Sequence, residues 1–120
     1  MDAKEFITAY YKSDAYGNPE VMERFVHKDA VLEWRNSKGF SKLTKEDMLD
    51  FIKELKRSYS SYRIEINNIV ADGNKAAVQY THYADAIENP DEEIVLGYFM
   101  AIWEIKDKKL YRGYLISQAG

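Results

Sequence analysis

The 120-residue chain contains no cysteine, so no disulfide braces it and its stability has to come from a packed core, which a single domain of this length can build. It also lacks any apolar run approaching the roughly 18 residues of a membrane span. The opening Met1-Asp-Ala-Lys-Glu5 begins with acids rather than a basic segment ahead of an apolar one, which predicts no secretory signal and a cytoplasmic location. There is no surplus of basic charge: the formal net charge of −3 argues against a dedicated nucleic-acid binder. Lys42, Lys45, Lys53 and Lys56 alternate with acids and read as a solvated helix face. Histidine is scarce, with only His27 and His82, and no cluster of potential ligands accompanies either. His82 and Asp85 lie three apart and point to opposite sides of a strand, so no metal is expected. Neither a glycine-rich phosphate loop nor a serine-nucleophile motif occurs, and no cofactor is implied. Finally, Leu110 to Gly120 carries no Asp or Glu.

What the chain has in quantity is aromatic side chains: ten tyrosines, five phenylalanines and two tryptophans. With 46% hydrophobic and 31% charged residues, the composition is that of one soluble globular domain over residues 1–120, without repeats or linkers. Asp2 to Tyr16 reads as a helix with Phe6, Ile7, Tyr10 and Tyr11 on one side and Gly17 as its stop. Asn18 caps a second, short helix, with Pro19 at its first position. Ala30 to Asn36 follows as a strand, then a loop through Gly39. A capping box formed by Thr44 and Asp47 starts a third helix, Lys45 to Arg57, with Met48, Phe51, Ile52 and Leu55 as its buried stripe.

From Ser61 the hydrophobic period becomes two. Tyr62, Ile64 and Ile66 form one strand face; Val78, Tyr80 and His82 form another, joined by a three-residue turn at Asp72-Gly73-Asn74. Glu88 to Glu93 reads as an acidic loop, and Glu93–Ile105 with Leu110–Gln118 as a long hairpin about Asp107-Lys108. Helices followed by a meander predict an α+β fold: a cone-shaped half-barrel with three N-terminal helices packed on a curved, mostly antiparallel sheet. A cavity is expected between the layers.

A two-residue turn at Asp107-Lys108 would pair Ile105 with Leu110, Trp103 with Arg112, Ala101 with Tyr114 and Phe99 with Ile116, all on the inner face. A three-residue turn would instead set Arg112 against Glu104 on the outer face. The outer row Tyr98, Met100, Ile102, Tyr111 and Leu115 is apolar enough to predict a twofold homodimer packed sheet against sheet.

Four segments carry a resemblance to a known family: Tyr10–Glu20, Phe25–Trp34, Ile69–Asn74 and Phe99–Leu110. In order and spacing they resemble the nuclear-transport-factor-two-like superfamily, in the style of its polyketide-cyclase (SnoaL-like) branch. The resemblance implies a pocket at the wide end of the cone and frequent dimers, but not a reaction, because this fold hosts isomerases, dehydratases, cyclases and binding modules. In the ketosteroid-isomerase branch a tyrosine and two acids do the chemistry. The resemblance sets Tyr10 at the tyrosine, but Trp34 and Ala101 at the acids, and neither side chain can take over an acid's role. The cyclase branch uses an acid in the last strand, which is absent here.

The expected function is therefore a small-molecule binding protein whose pocket is lined by Tyr10, Trp34, Tyr80, His82, Phe99, Trp103 and Tyr114, with an apolar or aromatic ligand and no assigned catalytic residue. One alternative is an isomerase, cyclase or dehydratase acting on a carbonyl compound, with His82 as base and Tyr10 as hydrogen-bond donor. Another is a protein-interaction module that uses the outer sheet face.

Overall fold

A computed structural model describes all residues, 1–120. Three helices, α1 (Ala3–Lys12), α2 (Pro19–Phe25) and α3 (Lys45–Ser58), cover one face of a six-stranded sheet made of β1 (Val26–Asn36), β2 (Gly39–Thr44), β3 (Tyr59–Asp72), β4 (Lys75–Ala86), β5 (Asn89–Lys106) and β6 (Lys109–Ala119). The strand order is β2-β1-β6-β5-β4-β3. Only the β1–β6 pair is parallel, so the sheet is mostly antiparallel, and the predicted α+β half-barrel is the observed fold.

Local chemistry accounts for the helix starts. The Asp2 carboxylate accepts from the Glu5 amide at the head of α1, and the Asn18 side chain accepts from the Glu20 amide at the head of α2. At α3 the Thr44 hydroxyl accepts from the Asp47 amide while the Asp47 carboxylate accepts from that of Thr44, the reciprocal box read from sequence. The end of α1 comes earlier than expected, at Lys12 rather than Tyr16. Ser13 ends it by donating its hydroxyl to the Tyr10 carbonyl and accepting from the Ala15 amide. The chain turn that follows drives Ala15 fully into the core and lays Tyr16 against it.

Four strand boundaries also differ, the first being that β1 starts at Val26 rather than Ala30. Gly39 to Thr44 is an edge strand rather than a loop, held by its register along β1 from Asn36–Gly39 to Val31–Thr44. That pairing is a tertiary event, and no hydrophobic alternation marks the segment in advance. The acidic stretch after Glu88 is mostly strand: β5 starts at Asn89, and Glu93 meets Arg63 through two hydrogen bonds of 2.8 and 3.2 Å. The β3–β4 turn contains two residues, Gly73 and Asn74, with Gly73 at a positive φ of 60° and Asp72 paired to Lys75.

The β5–β6 hairpin settles the inner wall. Asp107 and Lys108 both have positive φ, 54° and 59°, the signature of a two-residue turn whose twist matches the strands. Ile105 faces Leu110 as expected, but a bulge then inserts Tyr111 as an unpaired residue, so that Arg112 faces Glu104 and Gly113 faces Trp103. Every residue beyond the bulge changes face. Leu115, expected outside, is buried opposite Ala101, whereas Tyr114 and Ile116, expected inside, are exposed. Arg112 donates to the Asp29 carbonyl and lies over the Tyr111 ring, well away from the core.

Candidate functional site

The helices do not fill the space above the sheet. A cavity of about 410 Å³ remains, in the range that holds a drug-sized molecule. Its back wall is a ladder of cross-strand neighbours: Trp103 beside Ala76 and Gly113, then Ala101 beside Val78 and Leu115, then Phe99 beside Tyr80 and Ser117, then Gly97 beside His82 and Ala119. Across β5 and β6 the large rings face small residues, and Trp103 and Phe99 pack into the positions left without side chains at Gly113 and Gly97. Gly113 is indispensable here, because a Cβ on it would lie 2.5 Å from Trp103 Cζ3 and 2.8 Å from Leu32 Cδ1.

Six of the seven predicted lining residues reach this cavity: Tyr10 from α1, Trp34 from β1, Tyr80 and His82 from β4, Phe99 and Trp103 from β5. Tyr114 does not. It is 49% exposed on the opposite face of the sheet because of the bulge at Tyr111. Residues that the sequence reading did not assign to the pocket also line it, chiefly Tyr11, Tyr16, Phe51, Leu115 and Ser117. Tyr11 could have been found from its place beside Tyr10 on the buried face of α1. Tyr16 could not, since its position depends on α1 ending early.

The aromatic side chains hold one another. Tyr80 and Phe99 stack at 5.0 Å with planes 4° apart, Tyr11 packs on Tyr80 at 4.4 Å, and Trp34 meets Phe51 edge-on at 5.3 Å. The polar tips are tied unevenly. The Trp103 indole donates to the Tyr11 hydroxyl at 2.9 Å and the Trp34 indole to Ser117 Oγ at 2.7 Å. Tyr10 donates to Met22 Sδ at 3.4 Å, a weak acceptor, and the hydroxyls of Tyr16 and Tyr80 stand 3.5 Å apart.

Electrostatically the interior is close to neutral. Burial pushes the phenols of Tyr10, Tyr11, Tyr16 and Tyr80 upward, so all four are un-ionised donors at neutral pH. Burial also pushes His82 down to about 4, which leaves its imidazole uncharged. No Asp or Glu lines the cavity, and its one charged lining residue, Lys38, sits exposed in the turn between β1 and β2. Trp34 and Ala101, at the positions where the resemblance sets acids, both form wall. No three His, Asp or Glu side chains come together as a metal site would require.

Fold and cavity together define a cone-type α+β domain with an aromatic pocket. Residues 7–113 match the SnoaL-like domain family, and the chain belongs to that family, within the nuclear-transport-factor-two-like superfamily. Among curated proteins none matches it in sequence. Solved structures similar to it include IdmH, a putative polyketide cyclase from Streptomyces antibioticus (14% identity, TM-score 0.77, covering 98% of this chain and 92% of that one). Another is the BvnE pinacolase of Penicillium brevicompactum (15% identity, TM-score 0.74, 95% and 82% covered). A third is a ketosteroid-isomerase-like protein from Catenulispora acidiphila in complex with trimethylamine (10% identity, TM-score 0.70, 92% and 83% covered). At such identities the likeness shows the fold alone.

Proposed function

We propose that this protein binds a small, flat, largely apolar or aromatic molecule in the cavity between helices and sheet. The observation that carries this reading is an interior built from aromatic rings yet left with about 410 Å³ unfilled. Stacked rings offer large apolar area to a guest, and the phenol and imidazole tips orient it. Trp34 reports on occupancy, because its indole lines the cavity against Phe51. Titration of small aromatic compounds should quench or shift its emission, and Trp34→Ala should weaken binding; an unchanged affinity removes Trp34 from the site.

A second reading, supported by the unpaired His82 Nε2 in the same cavity, makes the protein an isomerase, cyclase or dehydratase of a carbonyl compound. His82 would be its base, and Tyr10 or Tyr16 would donate to the developing enolate. An imidazole held at about 4 is a weak base at neutral pH, which favours binding over proton transfer. Turnover that drops by at least about a hundredfold in His82→Ala would reverse that preference.

The outer sheet face supports a homodimer in the same proposal. Met100, Ile102, Tyr114, Ile116 and Tyr98 are between 48% and 64% exposed and contiguous across β5 and β6. Light scattering on a sizing column should give twice the 14.0 kDa chain mass. A monomer at tens of micromolar would reject it.

A further inference from the structure

Inside the cavity one polar group is left without a partner by the protein itself. His82 is 3% exposed, and its Nε2 makes no hydrogen bond. Such an atom has lost its water without gaining a replacement, an arrangement that native interiors rarely keep unless something else supplies the bond. Its surroundings are π faces and edges: Tyr16 lies 5.2 Å away edge-on and Phe99 6.1 Å away, measured between ring centres. Directly across the sheet stands Gly97, which contributes no side chain; a Cβ there would come within 2.9 Å of Phe99 Cε2. The room left by the missing side chain is taken up by the Phe99 ring, which packs close beside the imidazole. Tyr62, whose own buried hydroxyl likewise makes no hydrogen bond, packs on the same imidazole but is not part of the cavity wall.

Charge narrows what belongs there. A cationic guest would find no carboxylate on the wall, and an anionic one would find no buried cation, since Lys38 stays in water at the turn between β1 and β2. What the interior offers is one imidazole nitrogen and phenol hydroxyls, groups that both give and accept hydrogen bonds without net charge. The Tyr16 hydroxyl stands 3.5 Å from that of Tyr80, a long contact that leaves it a weakly held donor.

We propose that His82 Nε2 and the Tyr16 hydroxyl form a subsite for a neutral hydroxyl carried on a flat aromatic guest. The guest's O–H donates to Nε2 and its oxygen accepts from Tyr16. This inference rests on the cavity-binding reading and adds the chemical class of the ligand.

The test is an NMR titration of the nitrogen-15-labelled wild-type chain with four probes of one shape: 2-naphthol, naphthalene, 2-naphthoate and trimethyl(2-naphthyl)ammonium. The expected result is that naphthol binds about tenfold more tightly than naphthalene, the worth of a hydrogen bond to an otherwise unpaired group. It should also bind at least about tenfold more tightly than either charged probe, with the His82 ring nitrogen shifting only for naphthol. His82→Phe keeps a ring but removes the nitrogens, and should bring naphthol and naphthalene to equal affinity. The wild-type ranking decides the matter even if that variant does not fold. Equal binding of naphthol and naphthalene by the wild type overturns the subsite and leaves the cavity reading intact; tightest binding by naphthoate or the ammonium salt also overturns the subsite. Absence of any shift at cavity residues with all four probes overturns the cavity reading itself.

Discussion

Both faces of β5 and β6 carry a row of apolar residues, yet the two rows are packed differently. On the inner face each large ring meets a small partner: Trp103 meets Gly113, and Phe99 meets Ser117. On the outer face large residues meet large ones, Ile102 with Tyr114 and Met100 with Ile116. The first arrangement lines the cavity beneath the helices, and the second lines an exposed apolar depression bordered by Met100, Ile102, Tyr114 and Ile116. Hydrophobicity alone does not separate the cavity wall from the exposed face here. The pairing of sizes does, and pairing depends on register.

That contrast can be pressed at several points. The largest expected effect belongs to the inner face and is a pH dependence. His82 has a folded-state value of about 4 against an ordinary value of 6.5, so between these pH values the unfolded chain binds more protons than the native one. The stability tied to this residue is complete above about pH 6.5 and is lost as pH falls toward 4, below which it stays lost. Over that window the loss is roughly 3 kcal/mol. Denaturant unfolding at several pH values, run beside His82→Phe, should show wild type losing roughly 3 kcal/mol relative to the variant between pH 6.5 and 4; parallel curves would mean that His82 is not desolvated.

Next comes Gly113→Ala, which places a methyl group against Trp103 and Leu32 and should cost about 2 kcal/mol, read as a lower unfolding midpoint with a changed tryptophan emission. Ser117→Ala removes the acceptor of the Trp34 indole and should cost about 1 kcal/mol while loosening that ring. On the outer face the order of effects reverses. Met100→Lys, at a position 62% exposed, should change the stability of the dilute chain by less than about 0.5 kcal/mol. At tens of micromolar it should halve the mass measured by light scattering. If Met100→Lys instead destabilised the chain as much as Gly113→Ala, the two faces would not differ in the way described.

How much of this could be read in advance differs by element. The caps at Asn18 and at Thr44 with Asp47 are local hydrogen-bonding patterns, and all appear in the structure. Alternation along β4 correctly set Val78, Tyr80 and His82 on one buried face. Six of the seven proposed lining residues stand on the cavity because helix and strand periodicity direct side chains regardless of partner. Tyr114 failed for a reason that periodicity cannot contain: one extra residue at Tyr111 inverts the face of everything after it. The strand Gly39–Thr44 was missed because its pairing with β1 is what makes it a strand.

The amino-acid order by itself determined where the helices start, which strands alternate, the aromatic wealth of the interior and the lack of an acid in the last strand. These are properties of short segments and of composition, legible without knowing what lies across from what. Tertiary structure alone decided that Leu115 looks inward and Tyr114 outward, that Tyr16 joins the cavity, and that the imidazole of His82 is sealed in without a partner. Each of those depends on the register of a neighbouring strand or the approach of a distant helix, and the free energy that selects it is shared between residues far apart in the chain.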